Sequence, residues 1–326
     1  MYSLNSLSKW AFIAVLIDLG VLPVIAAESV DAFPNKAVRI VVPQASGGGI
    51  DLMARLVGAR LSGSTGQSFV VDNRTGAGSI IGATIVAKAA PDGYTLLVSS
   101  LSMAFNETLY KKLPYDSIRD FTPLSLIAIS PNVLTVSFGS PVKTVQELIQ
   151  LANSRPGKLN YGSGGIGGSD HVCSEYFQIA ADIKLVNVSY RGSAPALVDL
   201  AAGMIDLSFA PIASSISLIS SGKLRALGVS TVKRSALLPE VPTMAEAGLA
   251  RFDYSSWYAI WGPGGLPRPI VSKLNSEMHK ALRDSNLRDR MAALGAESSW
   301  SGADEFSAFY EAEIKRWEPI LKPYAQ

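Results

Sequence analysis

The residues best placed to do chemistry in this sequence are glycines and serines at three junctions between a predicted strand and a predicted helix. The junctions lie at residues 43–51, 162–171 and 190–195. A helix start carries backbone N–H groups without intrahelical acceptors, and the helix dipole is positive there. Glycine lets a ligand approach the backbone closely, and serine hydroxyls add donors. The pattern favours binding of a carboxylate or phosphate without an arginine. The alternative is that the glycines only form tight turns.

Asp51 and a glycine run in the second junction have further interpretations. Asp51 is expected to hydrogen-bond the free N–H groups of its own helix start. Residues 162–167 read Gly-Ser-Gly-Gly-Ile-Gly, which matches the dinucleotide fingerprint, and Arg191 at the end of the next predicted strand could meet an NADP phosphate. This match lies past mid-chain and no evident proton donor completes it. An NADP-dependent reductase is therefore kept only as an alternative to a binding protein.

The sequence offers few residues that could form another catalytic site or a metal site. No G-x-S-x-G nucleophile elbow occurs, and Ser169, Asp170 and His171 are chain neighbours that cannot face one another as a triad must. Cys173 is the only cysteine, and His171 and His279 are the only histidines. We expect Cys173 to be a buried apolar residue and His279 to be structural or exposed. His171 is either a ligand hydrogen-bonder or a packed core residue, and no catalysis, metal or cofactor is expected.

The composition fits a globular protein with a large core. Hydrophobic residues make up 48% of the 326-residue chain and charged residues 17%. Lys plus Arg number 29 against 27 for Asp plus Glu, and no Lys/Arg-dense block occurs. Nucleic-acid binding is therefore not expected.

The first 27 residues predict an export signal. Lys9 precedes an apolar run at residues 11–25, and Ala26 and Ala27 supply the small residues of a signal-peptidase site. Asp18 within the run would be costly at mid-bilayer, although an uncleaved N-terminal anchor is the alternative. A cleaved signal places the mature protein in the periplasm.

Between the glycine-rich junctions the sequence alternates strand-like and helix-like segments. Residues 37–43 form a β-branched apolar run, which Ser-Gly-Gly-Gly and an amphipathic helical pattern over residues 50–61 follow. The order repeats with predicted strands at 69–72 and 94–99 and a predicted helix at 80–90. This repetition predicts an α/β fold with a parallel sheet covered by helices.

The rest of the chain continues this order and predicts two lobes. Further strands are predicted at 124–129, 133–137, 158–161, 185–190, 205–209 and 224–230, and further helices at 145–153, 169–181, 194–202, 213–220, 269–283 and 301–320. So many strands fit two smaller sheets better than one flat sheet. The predicted crossings at 130–132 and within 252–262 form a hinge, with the ligand in the cleft between the lobes. They give lobe 1 over residues 28–130 and 253–326, and lobe 2 over residues 131–252.

Several ordered stretches of the sequence match one known protein family. Residues 33–43 read Phe-Pro-Asn-Lys-Ala-Val-Arg-Ile-Val-Val-Pro and are followed by Gly47-Gly48-x-x-Asp51, which resembles the opening of the Bug family. These are the extracytoplasmic binding proteins of tripartite tricarboxylate transporters. Further stretches similar to the family lie at residues 72–78, 90–97, 113–116, 159–163, 190–197, 222–227, 239–243 and 246–248. The resemblance covers essentially the whole chain after the signal.

The resemblance implies a Venus-flytrap fold, in which two α/β lobes with open, mostly parallel sheets and helices on both faces close about a two-crossing hinge. It implies that the first glycine-rich loop and the 163–171 loop hold a ligand carboxylate through backbone N–H groups, hydroxyls and bridging waters. The expected ligand-binding residues are Gln44, Ser46, Gly47, Gly48, Ser99, Ser163, Gly167, Ser169, Asp170, His171, Tyr190, Ala194 and Ala210.

Two departures from the family pattern bear on the ligand. Family members usually carry an aromatic residue where this sequence has Gln44, and many carry an acid or amide where Phe209-Ala210-Pro211 stands. Without that acid a ligand ammonium would lack its partner, so we expect a small carboxylate that is not an amino acid. The resemblance implies a monomer that serves the membrane permease of a tripartite transporter. A ligand sensor for a two-component kinase is the other open alternative.

Overall fold

The computed structural model describes residues 33–325, so the predicted signal at residues 1–27 lies outside them. The strands are β1 Val38–Val42, β2 Phe69–Asn73, β3 Thr95–Ser100, β4 Phe121–Ser137, β5 Asn160–Ser163, β6 Val186–Ser189, β7 Leu207–Pro211, β8 Leu224–Val229, β9 Ser255–Pro263 and β10 Glu297–Ser298. The helices are α1 Gly49–Thr65, α2 Ile80–Ala87, α3 Ser102–Leu109, α4 Val145–Ser154, α5 Ser169–Ala181, α6 Ser193–Ala201, α7 Ile212–Ser220, α8 Arg268–Arg283, α9 Ser285–Ala292 and α10 Ala303–Leu321. Single 3-10 turns occur at Ala77–Ser79 and Lys322–Tyr324. The sequence did not predict α3, α9 or β10.

The strands form two groups that the long strand β4 joins. In one group β2, β1, β3 and β9 follow one another to the first half of β4; in the other, β7, β5 and β6 extend from its second half, which also pairs β8. Pairing is parallel from β1 to β2 and β3 and from β5 to β6 and β7, and antiparallel around β4 and β9. The two-lobed α/β fold is thus confirmed, with a mixed sheet at its centre.

The crossing between the lobes corrects one detail of the sequence interpretation. The strands predicted at 124–129 and 133–137 are one strand of 17 residues, β4. Pro131 lacks an N–H but does not break the strand, because β9 pairs with β4 as far as Pro131 and β7 takes over at Asn132. The returning chain lies beside it, since Tyr254 N donates to Ser230 O at 2.9 Å and Ser230 N to Asn132 O at 2.9 Å.

Helices cover both faces of the β1–β3–β9 group. On one face α1 packs on the apolar side chains of β1 and β3, while α8 packs on α1 and β4 and α9 packs on α1 and β10. On the other face α10 buries Phe306, Tyr310 and Trp317 against β9 and α3. No helix within residues 33–325 is both long and apolar enough to cross a membrane.

Candidate ligand-binding site

Two neighbouring spaces lie between the strand groups, at the carboxyl ends of the parallel strands. The outer cavity has a volume of about 660 Å³ and the inner pocket about 20 Å³, and Gln44 lines both. The outer cavity is lined by Pro43, Gln44, Ala45, Thr75, Gly76, Ala77, Gly78, Ser79, Tyr110, Gly164, Gly165, Ile166, Gly168, Ser189, Tyr190, Arg191 and Gly192. The inner pocket is lined by Gln44, Gly49, Ile50, Ser100, Ser169, Asp170, Ser193, Pro211, Ser256 and Tyr258. Arg191 is the only charged side chain among the outer lining residues.

The start of α1 is held by the buried carboxylate of Asp51. Gly47 adopts a left-handed φ of +85° and Gly48 is the extended N-cap. Asp51 accepts hydrogen bonds from Gly47 N, Arg55 Nε and Asn73 Nδ2, each at 2.9 Å. Burial opposes its charged form, but these donors outweigh burial and keep the pKa of Asp51 below its usual value. Asp51 therefore fixes the loop before α1, but it does not bond the free N–H groups at the start of its own helix, contrary to the prediction from the sequence.

The start of α5 is built in the same way around Asp170. Gly167 has a φ of +77° and Gly168 is the extended N-cap. The Asp170 carboxylate accepts from Gly164 N at 2.6 Å, from Ser193 Oγ at 2.8 Å and from His171 N at 2.9 Å. Burial raises the pKa of Asp170 against the effect of these donors. One buried carboxylate therefore fixes both the 164–168 loop and the start of α6.

Donors without acceptors face the inner pocket. Within residues 33–325, the N–H groups of Gly49 and Ile50 on α1 and of Ser169 on α5 have no hydrogen-bond acceptor. The hydroxyl of Tyr258 is buried and also lacks a partner there. This hydroxyl points at the start of α1, because a methyl group built on Gly49 would overlap it. The pocket therefore presents two positive helix ends and a hydroxyl to one small space.

The floor of the inner pocket joins α5 to both crossing strands. Asn132 Oδ1 on β4 accepts from Ser256 Oγ on β9 at 2.7 Å and from Ser169 Oγ on α5 at 3.2 Å. The two serine hydroxyls also contact each other. Tyr254 OH donates to Ser169 O at 2.9 Å. The N-terminus of α5 is thereby fixed to the place where the chain crosses between lobes.

A fourth loop, residues 75–79, covers the outer cavity. Ala77 and Ser79 hold left-handed φ values of 46° and 81°, which are uncommon for residues with a side chain. A methyl group at Gly78 would lie 3.0 Å from Ile166 O and 2.7 Å from Tyr110 OH, so glycine permits close contact with the opposite lobe. Asn106 Nδ2 on α3 holds Gly78 O at 3.0 Å. The sequence alone indicates only that this stretch precedes the helix predicted at residues 80–90.

Four of the thirteen predicted site residues line the two spaces: Gln44, Ser169, Asp170 and Tyr190. Around the first loop, Ser46 Oγ and Gly47 N instead bond Asp51, and Gly48 caps α1. Tyr190 OH donates to Asp199 at 2.8 Å while its ring borders the outer cavity.

Three predicted residues lie one position from a lining residue. Ser99 and Ala210 are fully buried in strands, and their neighbours Ser100 and Pro211 line the inner pocket instead. Successive side chains of a strand point to opposite faces, so a shift of one position decides whether a residue faces the pocket. Ala194 is exposed on α6, while Ser193 before it faces the pocket.

Three further predicted residues lie behind the 164–168 loop. Ser163 is fully buried and donates to Asn187 Oδ1 at 2.8 Å. A side chain at Gly167 would meet Leu109 of α3, not the cavity. His171 is 4% exposed and accepts from Gly167 N at Nδ1 across 3.4 Å. Of its two interpretations the structure places His171 in the packed interior, where burial lowers its pKa and Glu175 partly counters that effect.

A family model described as the tripartite tricarboxylate transporter family receptor matches residues 53–325. The chain belongs to this family. It is 38% identical over 299 residues to the UPF0065 protein in the tcbD-tcbE intergenic region of Pseudomonas sp. (strain P51), covering 91% of this chain and 89% of that one. It is 35% identical to BugT of Bordetella pertussis, covering 91% and 92% of the two chains. The Bug resemblance is confirmed.

Solved structures agree with this family. A R. palustris protein with adipate superposes with a TM-score of 0.86 at 38% identity, covering 90% of this chain and 98% of that one. MatC from Rhodopseudomonas palustris, with bound malate, gives 0.84 at 33% identity, covering 89% and 100%. The periplasmic binding protein BugD gives 0.84 at 32% identity, covering 90% and 98%.

The family assignment decides between binding protein and enzyme. Its members are periplasmic substrate-binding proteins and not enzymes, so the chain is a solute-binding protein and the reductase alternative is wrong. The structure gives the physical reason. The Asp170 carboxylate occupies the Gly164 N–H and the Ser193 hydroxyl beside the glycine fingerprint, where a dinucleotide would need free donors for its phosphates.

Proposed function

We propose that this protein captures a small carboxylate between its lobes and delivers it to the membrane permease of a tripartite tricarboxylate-type transporter. One observation carries the ligand class. The unpaired N–H groups of Gly49, Ile50 and Ser169 and the unpaired Tyr258 hydroxyl converge on the inner pocket. Acceptor oxygens with a negative charge satisfy such donors best.

The sizes of the two spaces suggest how the ligand lies. The inner pocket, at about 20 Å³, has room for one water-sized group, such as a carboxylate oxygen. The remainder of the ligand extends into the outer cavity, at about 660 Å³, between Tyr190 and the 75–79 loop. We infer that the lobes separate for entry, because Gly78 and Ile166 O approach so closely across the mouth that a methyl group on Gly78 would lie 3.0 Å from that oxygen. Four charge-assisted hydrogen bonds of about 1.5–3 kcal/mol each, less the ordering costs, suffice for a dissociation constant on the order of micromolar.

Charge and the relatives favour a carboxylate that is not an amino acid. Among residues 33–325, no carboxylate side chain lines the outer cavity, and Arg191 is its one charged group. The Asp170 carboxylate in the inner pocket already has three donors. A ligand ammonium would thus find no free acid, and Pro211 lines the inner pocket at the end of β7. The related proteins solved with adipate and with malate support the same class.

The transport cycle follows from the hinge. We infer lobes at residues 28–130 with 253–326 and at 131–252, closing about β4 and the return at Tyr254. The predicted signal at residues 1–27 would export the chain to the periplasm. A monomer suffices for this role, because each closed cleft would encounter the permease independently.

Isothermal titration of the mature chain from Glu28 onward tests the proposal. Adipate, malate and a series of mono- and dicarboxylates are the ligands, with aspartate, glutamate and NADP as comparisons. We expect saturable heat with carboxylates alone, and a thermal stabilisation of about 2.7 kcal/mol at 100 times the dissociation constant. Preferential binding of aspartate or glutamate over every plain carboxylate would contradict the proposed ligand class. A membrane vesicle assay with the permease subunits then tests delivery.

A further inference from the structure

A buried polar cluster lies on the side of α5 away from the cavity. Glu175 and His171 on α5 are 5% and 4% exposed, and Tyr161 on β5 is fully buried. Tyr161 OH donates to Glu175, whose Oε1 lies 4.0 Å from His171 Nε2. No ligand contact described above uses this cluster. Burying a carboxylate costs solvation free energy, so the cluster calls for a structural or functional explanation.

The last turn of the chain completes the cluster. Tyr324 lies in the 3-10 turn after α10, and its ring meets that of His171 edge-on at 6.2 Å. Burial and the neighbouring Glu175 carboxylate raise the pKa of the Tyr324 hydroxyl. The preceding helix is anchored in lobe 1, where Tyr310 OH donates to Met103 O at 3.1 Å. Tyr324 therefore carries a contact from lobe 1 to a helix of lobe 2.

The other end of the cluster reaches the ligand site. His171 Nδ1 accepts from Gly167 N at 3.4 Å, and Gly167 precedes Gly168, the N-cap of α5 that lines the outer cavity. Because Nδ1 accepts, the proton of the neutral ring lies on Nε2, which faces Glu175. The titratable groups around the ring are Glu175 on α5, Tyr161 on β5 and Tyr324 on the C-terminal turn. The adjacent Asp170 is turned towards Ser193 and Gly164.

We propose that the C-terminal turn is a clasp: Tyr324 and Glu175 hold His171 in the tautomer and orientation that fix Gly167, and so set the 164–168 loop for ligand. His171 and Tyr324 are then positioning residues that touch no ligand. The clasp rests on the proposed function, since it prepares the same site.

Tyr324→Phe tests the clasp, because it removes only a hydroxyl from a side chain that is already 36% exposed. Tyr176→Phe is the matched control on α5, where the lost hydroxyl bonds Arg251 O at 3.0 Å, away from His171. The chain contains two histidines, so ¹⁵N spectra of His171 can be read against His279 as an internal reference. This readout needs no ligand.

We expect Tyr324→Phe to change the tautomer signals and the titration of His171, to leave His279 unchanged, and to weaken binding of a carboxylate that the wild type binds. A coupling of this kind corresponds to a loss of about fivefold or more. Tyr176→Phe should do neither. Unchanged His171 signals would overturn the clasp even if no carboxylate bound the wild type, a result that would count against the proposed function separately. Altered signals with unchanged affinity, or an equal loss in Tyr176→Phe, would also overturn it.

Discussion

Gly49→Ala is the sharpest perturbation that the inner pocket offers. Gly49 is the first residue of α1 and has no left-handed φ, so its backbone accepts alanine. The added methyl group would overlap the Tyr258 hydroxyl, which is buried. Either Tyr258 moves out of the pocket or the start of α1 shifts, and both displace a donor from the carboxylate.

The expected loss equals about one charge-assisted hydrogen bond, roughly 1.5–3 kcal/mol, or about 10- to 150-fold in the dissociation constant. Overpacking adds a stability cost of about 1–3 kcal/mol, measured by urea denaturation. Gly63→Ala is the control in the same helix, because a methyl group there meets nothing within 4 Å. It should leave affinity unchanged and stabilise the fold by about 0.5–1 kcal/mol.

Isothermal titration with the same carboxylate on both variants and the wild type decides the matter. If Gly49→Ala binds as tightly as Gly63→Ala while its fold is intact by circular dichroism, the ligand does not lie between Tyr258 and the start of α1. The assignment of the inner pocket as the carboxylate site would then be wrong, whatever the ligand class.

Four further outcomes follow from the same contacts. Tyr258→Phe should weaken carboxylate binding by about tenfold yet raise the free energy of unfolding by up to about 1 kcal/mol, since it removes a buried unpaired hydroxyl; titration and urea denaturation measure the two. Arg191→Gln should weaken a dicarboxylate about fivefold and leave a monocarboxylate of equal length unchanged, because the exposed cation can reach only a distal group. Asp51 has a folded pKa below 3.8, so its stabilisation holds above that pH and is lost as pH falls through the folded value, which acid denaturation of wild type against Asp51→Asn detects. His171 has a folded pKa below 6.5, so the unfolded chain binds the proton first and stability declines as pH falls below 6.5; His171→Asn should flatten that decline.

The glycine-rich loops could be predicted because local chemistry fixes them. An apolar strand followed by Gly47 and Gly48, or by Gly167 and Gly168, has few conformations that lead into a helix, and the aspartate two or three residues on has a local donor to bond. The sequence therefore predicted the strand-to-helix order and the helix starts. Each feature that the sequence predicted correctly depends on residues within a few positions of it along the chain.

The facing of single residues could not be predicted because distant pairing decides it. Ser99 and Ser100 are equally plausible in the sequence, and only the register of Ser100 opposite Tyr258 on β9 sets which one faces the pocket. The sequence indicates only that Asn132 and Ser256 belong to the two crossings between the lobes. In the structure their side chains form hydrogen bonds with each other and with Ser169, and these bonds form the floor of the inner pocket. The aromatic-rich stretch at 252–262 contains Tyr258, but the sequence alone does not indicate that this tyrosine faces the pocket. The register between β3 and β9 decides that.

The conformation of the 75–79 loop could not be predicted from the sequence for a different reason. Left-handed conformations at Ala77 and Ser79 are costly for residues with a side chain, and sequence patterns assign such conformations to glycine. Contacts from α3 offset that cost, since Asn106 holds Gly78 O and Ser102 Oγ donates to Ser79 Oγ at 3.4 Å. The helix α3 was itself not predicted, so the loop it supports could not be.

Asp51 and Asp170 explain how the site can bind an anion although a carboxylate lies at each of the two helix starts. Asp51 and Asp170 each neutralise donors that point into the protein and leave the neighbouring helix N–H groups directed at the inner pocket. Backbone donors recognise a carboxylate but cannot tell one carbon skeleton from another, because they contact only its oxygens. In the proposed function, discrimination would then come from the outer cavity, which Tyr110, Tyr190 and Arg191 line. Affinity and selectivity would thus depend on separate parts of one cleft, and the selective part could change without disturbing the helix starts.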